Sequence, residues 1–164
     1  MAHEILTADR LLELLAYEPG TGEFRWLVRS ARCIRPGDLA GTVHVRGYRL
    51  VSIDGRKYRA HRLVWLYVRG EWPAQDIDHL NGDRADNRIE NLRDVDKTVN
   101  MQNQRAASKN SATGLLGVAP SGKKWRAQIR VDGRVRYLGT HATPELASLA
   151  YLTAKRLLHP GCTI

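Results

Sequence analysis

Two Asp-Gly dipeptides do most to limit what this chain can fold into. Asp54-Gly55 interrupts "YRLVSIDGRKYRAH" and Asp132-Gly133 interrupts "KWRAQIRVDGRVRYLGT", each flanked by runs in which apolar and polar residues alternate. A two-residue loop of this kind takes a turn with positive φ at both positions, which Asp and Gly tolerate, and so joins adjacent antiparallel strands. Helical spacing appears between and beyond these hairpins. Thr7 can cap a short helix with an apolar stripe of Leu11, Leu12, Leu14 and Leu15. "HRLVWLYVRG" repeats at Leu63, Val64, Leu66, Tyr67 and Val68 and stops at Gly70. "TPELASLAYLTAKRLLHPG" has Thr143 as N-cap, Pro144 at the first helical position, Glu145 in the first turn, Lys155 and Arg156 near the end, and Pro160-Gly161 as a stop. Its face of Ala147, Ala150, Tyr151 and Ala154 suits close packing on a sheet. "FRWLV" and "GLLGVA" read as strands, "YEPGTGEF" as a turn and "RSARCIRPGDLAGT" as a loop. The expected fold class is α+β.

Charge divides the chain. Residues 1–100 hold 16 Lys and Arg against 15 Asp and Glu, and residues 101–164 hold 10 against 2, so +8 of the net +9 lies in the last third. That segregation points to a polyanion-binding segment joined to a nearly neutral one. After Asn100 the composition turns to Gln, Asn, Ser and basic residues. The expected organisation is a first domain over 1–102, a polar linker over 103–113 and a small basic domain over 114–164. Arg105 and Lys109 could lie along phosphates from the linker. Hydrophobic residues at 43% suffice for a core, and no apolar run approaches the length that crosses a bilayer. The start "MAHEILTADRLLELLAYEPG" is acidic and amphipathic rather than signal-like, so the expected location is the cytoplasm. Cys33 and Cys162 cannot build a Cys₄ or Cys₂His₂ site, so no structural zinc is expected.

"DIDHLNGDRADNRIENL", Asp76 to Leu92, is too polar for a core strand. Phosphodiester hydrolysis needs a base for water, a cation to offset phosphate charge, and a scaffold holding both. Histidine titrates near neutral pH, and Asp and Asn offer the oxygen donors that a hard divalent cation prefers. Asp78 and His79 are adjacent on an extended segment and point to opposite sides. Asp96 can cap a helix beginning "KTVNMQ", which a strand-loop-strand-helix unit could turn so that Asn100 faces Asp78. Asn91 can hydrogen-bond the loop backbone and so fix His79. Taken singly, such Asn and Asp pairs also make ordinary turns, and a lone His is more often structural. His61 is a second candidate, for phosphate contact or, preferably, for packing at the helix start. His3, His44, His141 and His159 read as surface residues.

The stretch "YRAHRLVWLYVRGEWP", followed by "IDHLNGDRADNRIENLRDVDKTVN", resembles the HNH endonucleases of the phage and intron homing type. The resemblance rests on the Asp-His pair, the "NGDRADNRIENLR" loop and the closing Asn. It implies an N-terminal ββα-metal (HNH, His-Me finger) nuclease domain, with a catalytic unit at about 58–102 behind an N-terminal helix and hairpin. It also implies His79 as general base, Asn91 as the Asn that orients the His79 loop, and Asp78 and Asn100 as metal ligands. The motif's final histidine is Asn100 here, which suggests one divalent cation, Mg²⁺ or Mn²⁺, per active site.

The segment "GVAPSGKKWRAQIRVDGRVRYLGTHATPELASLAYLTAKRLLHPG" is similar to the Apetala-two (ethylene-response-factor) DNA-binding domain. That likeness implies a three-stranded antiparallel sheet laid in the major groove and backed by one helix. Independently, Trp125, Ala127, Ile129 and Val131 share a helix-facing side, and Arg126, Gln128 and Arg130 the other. The turn pairs Arg130 with Val135 and Gln128 with Tyr137. Arg126, Gln128, Arg130 and Tyr137 would meet bases, and Lys123, Lys124 and Arg134 phosphates. Ala119 stands where the family often has a basic residue, and Arg136 falls on the helix side in this register. The whole reads as a site-specific DNA endonuclease of homing type acting on double-stranded DNA, with no membrane partner, in a phage-infected or mobile-element host bacterium. Monomer and homodimer both stay open. The alternative is a non-catalytic DNA-binding regulator on an HNH scaffold. An RNA-binding module fits less well, for want of an aromatic stacking platform.

Overall fold

The computed structural model describes residues 6–164. The chain divides into two compact units, with the boundary between Asp96 and Lys97. Both mix helices with small antiparallel sheets.

In the first unit, helix α1 (Ala8–Leu14) begins where Thr7 accepts a hydrogen bond from the Arg10 amide at 3.2 Å. Leu11 and Leu14 are buried, whereas Leu12 is 45% exposed and does not belong to the expected stripe. The helix stops at Leu15, which opens strand β1 (Leu15–Glu18), paired with β2 (Glu23–Trp26). Neither the short β1 nor the early end of β2 was legible: "LAYE" is too short for a period to emerge, and Leu27 and Val28 are exposed rather than in the strand. A meander of β3 (Thr42–Val43), β4 (Arg49–Ile53) and β5 (Arg56–Arg59) follows. Its tight turn has φ of 47° at Asp54 and 78° at Gly55, as the dipeptide required. Helix α2 (Ala60–Arg69) buries His61, Leu63, Val64 and Leu66 and ends in a left-handed Gly70. Strands β6 (Asp76–His79) and β7 (Leu92–Val95) close the unit as an antiparallel pair. One apolar core joins Leu11, Leu15, Phe24, Val51, Ile53, Leu63, Leu66, Ile77 and Leu92. Tyr17, Phe24 and Tyr67 form an aromatic cluster on it, with ring centroids 5.4–5.8 Å apart.

The second unit starts with helix α3 (Lys97–Gln102). Strands β8 (Val118–Ser121), β9 (Lys124–Val131) and β10 (Arg134–His141) form a sheet with β9 in the centre, and helix α4 (Pro144–Leu158) packs on it. The first of these strands begins at Val118, later than "GLLGVA" suggested, because the residues before it make turns. Arg130 does pair with Val135 and Gln128 with Tyr137. Arg136 sits opposite Ile129, yet its side chain is exposed, and an irregularity beyond Tyr137 shifts the register. His159 is not a surface residue: it is buried and its Nε2 donates to the Arg130 carbonyl at 2.9 Å. His141 is half-buried, His44 is exposed, and His3 lies outside the described residues. The end of α3 and the residues after it are tied to the C-terminal segment of this unit. Gln102 Oε1 accepts from the Gly161 amide at 2.9 Å, Lys155 donates to the Gln104 carbonyl, and Arg105 donates to Thr163 Oγ1 at 2.7 Å.

Gly117 packs flat against the α4 helix. A Cβ there would lie 1.9 Å from the Tyr151 ring, and φ is +67°. Gly117→Ala should therefore destabilise this unit by roughly 2 kcal/mol or more. Faster amide exchange across β8, β9 and α4, with β6 and β7 unchanged, is the expected measurement.

Candidate active site

The short β6–β7 pair determines where the reactive side chains lie. Its register sets Asp78 opposite Arg93 and His79 opposite Leu92. Asp94 anchors the approach to β6, accepting from the amides of Ala74 at 2.8 Å and Gln75 at 2.9 Å. Asp78, 8% exposed, receives a fork from Arg93: Nε and Nη2 donate to its Oδ2 at 3.0 and 2.7 Å. His79 is 4% exposed. Burial lowers its pKa, with the hydrogen bond to Asn87 and nearby carboxylates acting the other way. Its imidazole is thus neutral at neutral pH, the form that can take a proton.

The connecting loop explains its own composition. A segment with so few apolar residues cannot hold itself by packing, so side chains supply its hydrogen bonds. Asn91 Oδ1 accepts from the Asn81 amide at 2.9 Å, and its Nδ2 donates to Asn81 Oδ1 at 3.0 Å and to the Asp86 carbonyl at 2.8 Å. Asn81 Nδ2 donates to Asp86 Oδ2 at 2.7 Å. Arg88 grips both oxygens of Asp86, and that hydrogen bonding holds the Asp86 carboxyl well below its ordinary pKa. Asn91 therefore ties together the two ends of the loop that carries His79.

Two residues escaped the sequence reading. Asn87 is 1% exposed, donates through Nδ2 to the Ala85 carbonyl at 3.1 Å, and presents Oδ1 to His79 Nε2 at 3.3 Å. Its signal, an Asn four residues before Asn91 in the same loop, looks in the sequence like ordinary turn chemistry. Tyr48 was missed as well. Its ring lies 6.2 Å from that of His79 and 5.3 Å from that of His61, and the guanidinium groups of Arg59 and Arg84 each lie 5.0 Å from its centroid. Arg84 also donates to the Arg46 carbonyl at 3.0 Å. Two exposed arginines thus crowd the tyrosine ring that lies beside the histidine.

His79, Asp78 and Asn91 belong to one hairpin of the first unit, whereas Asn100 is carried by α3 of the second. Among the described residues, no group of three or more His, Cys, Asp and Glu side chains could hold a metal ion. The donor types at hand, one carboxylate and neutral oxygens, suit a hard cation that keeps water and phosphate among its ligands. In the second unit, Lys123, Lys124, Arg126, Arg130, Arg134 and Tyr137 are exposed and Gln128 is half-buried. Lys109 and Arg105 are exposed too, the latter with its guanidinium on Thr163.

A protein-family model described as HNH endonuclease matches residues 58–102. This segment supports an HNH nuclease. It spans α2, β6, β7 and α3 and contains Asp78, His79, Asn87, Asn91 and Asn100. No curated protein and no solved structure matches the chain.

His61, edge-on to His79 with centroids 5.0 Å apart, takes the packing role. Burial first, then His79, Arg59 and Arg62, push its pKa down to about 3. In the unfolded chain it returns to about 6.5, so between these values only the unfolded state binds the proton. Stability present above the unfolded value is lost as pH falls, by up to roughly 1.4 kcal/mol per pH unit. The thermal midpoint should fall on acidification below about pH 6.5, and His61→Phe should flatten that dependence.

Proposed function

We propose that the chain is a metal-dependent, site-specific DNA endonuclease of the homing type. The observation that carries this reading is a buried His79 next to Asp78, with Asn87 on its Nε2 and Asn91 tying the loop that follows, inside the segment matched to HNH endonucleases. In the reaction, His79 takes the proton from an attacking water. Asn91 keeps the loop, and so the imidazole, in place. Asp78 and Asn100 would hold one divalent cation, Mg²⁺ or Mn²⁺, which when bound offsets negative charge on the scissile phosphate and the leaving oxygen. Arg93 orients the Asp78 carboxylate and neutralises it until then. Arg59 and Arg84, stacked on Tyr48, provide positive charge for the DNA backbone near His79.

The C-terminal unit is the affinity module in this reading, resembling an Apetala-two-type domain. Its sheet would enter the major groove with Arg126, Gln128, Arg130 and Tyr137 on bases, while Lys123, Lys124 and Arg134 meet phosphates. One such centre per chain nicks one strand, and a pair of chains would cut both. The rival reading, a DNA-binding regulator without cleavage, draws on the Arg93 fork that already occupies Asp78. Supercoiled plasmid incubated with Mg²⁺ or Mn²⁺, with and without EDTA, separates the two.

His79→Ala should leave DNA binding intact and lower cleavage by at least ~10²-fold. Cleavage at the wild-type rate would remove His79 from the base role. Arg126→Ala combined with Arg130→Ala should weaken specific binding and relax base preference, whereas Lys123→Ala combined with Lys124→Ala should reduce the slope of log affinity against log salt by about 2. An unchanged slope would take the sheet off the DNA.

A further inference from the structure

The hairpin of β1 and β2 lies outside the matched segment, yet it touches the catalytic loop at two points. Tyr17 on β1 donates its hydroxyl to the Asn87 carbonyl at 3.1 Å and accepts from the Ile89 amide at 3.0 Å. One hydroxyl thereby pins the backbone on both sides of Arg88. Burial raises the Tyr17 pKa, so the hydroxyl keeps the proton it donates. The ring is held in turn by Phe24 and Tyr67 on the main core. Gly22, in the turn between the strands, meets the same peptide. Its φ is +74°, and a Cβ there would stand 2.4 Å from the Arg88 nitrogen and 2.5 Å from the Asn87 carbonyl carbon. Nothing larger than glycine lets the turn sit this close.

What the hairpin holds is the residue that addresses the histidine. The Asn87 amide is oriented by its Nδ2 donation to the Ala85 carbonyl, which leaves Oδ1 facing His79 Nε2. An amide oxygen only accepts, so the ring nitrogen opposite it must carry the hydrogen. We propose that Tyr17, Gly22 and Asn87 are positioning residues that hold His79 in the Nε2–H tautomer. The hairpin is then a working part of the centre, supplied by sequence that the nuclease segment does not contain. The proposal rests on the nuclease reading for its consequence in catalysis, but the tautomer itself does not depend on it.

The test uses the full chain with ¹⁵N-labelled histidine. Long-range ¹H–¹⁵N correlations report which His79 nitrogen is protonated, and a His79→Gln spectrum assigns the signals. The wild type should show the Nε2–H form. Tyr17→Phe keeps the aromatic cluster and removes only the hydroxyl. It should give a mixture of tautomers and lower kcat on duplex DNA about tenfold, with KM nearly unchanged. Asn87→Asp keeps an acceptor facing the ring and should retain the tautomer, whereas Asn87→Leu should lose it. An Nδ1–H form in the wild type overturns the proposal, as does a Tyr17→Phe protein with unaltered tautomer and kcat. If the wild type shows the expected tautomer response but cuts no DNA in Mg²⁺ or Mn²⁺, the nuclease reading fails and the positioning by the hairpin stands.

Discussion

A loop of Asp, Asn, Gly and Arg has no hydrophobic means of staying in one shape, and the candidate active site depends on how this one is held. Asn91 bridges the loop's two ends by bonding both the backbone and the side chain of Asn81 and the carbonyl of Asp86. Asn91 is buried and Asp86 half-buried, and leaving a buried polar group unmatched costs roughly 1–3 kcal/mol. The polar loop is thus rigid for the same reason that a core is rigid: its alternatives leave groups unsatisfied. His79 and Asp78 inherit that rigidity because the strand that carries them runs directly into it.

Burial does the rest of the electrostatic work. His79 and His61 are both taken out of water, and desolvation lowers the pKa of each. Two neutral imidazoles can then sit edge to face at 5.0 Å, where two charged ones would repel. Positive charge is kept at the rim instead, on Arg59 and Arg84 around Tyr48. A neutral base beneath a cationic border is a workable arrangement for an anionic polymer. The net charge of the C-terminal third adds to the same preference for a polyanion.

Several features of the site could be read from residue types alone. The Asp78-His79 pair, the linking role of Asn91 and the register that pairs Gln128 with Tyr137 follow from alternation and turn chemistry, which act over a few residues. Asn87 could not be separated from the other loop Asn and Asp residues, because what distinguishes it is a partner eight positions earlier and a burial of 1%. Tyr17 is further still: it acts on residues about seventy positions away. His159 was misread because nothing near it in sequence announces the Arg130 carbonyl it meets.

Residue types and their spacing suffice for the two Asp-Gly hairpins, the ends of α2 and α4, the split in charge and the identity of the loop that bears the histidine. Those depend on φ preferences, capping and periodicity, all short-ranged. It takes the packed fold to make the β1–β2 hairpin brace Asn87, Arg93 grip Asp78, and Tyr48 gather arginines beside the histidine. Those contacts come from how separate strands and helices share one core, and core packing couples residues without regard to their distance along the chain.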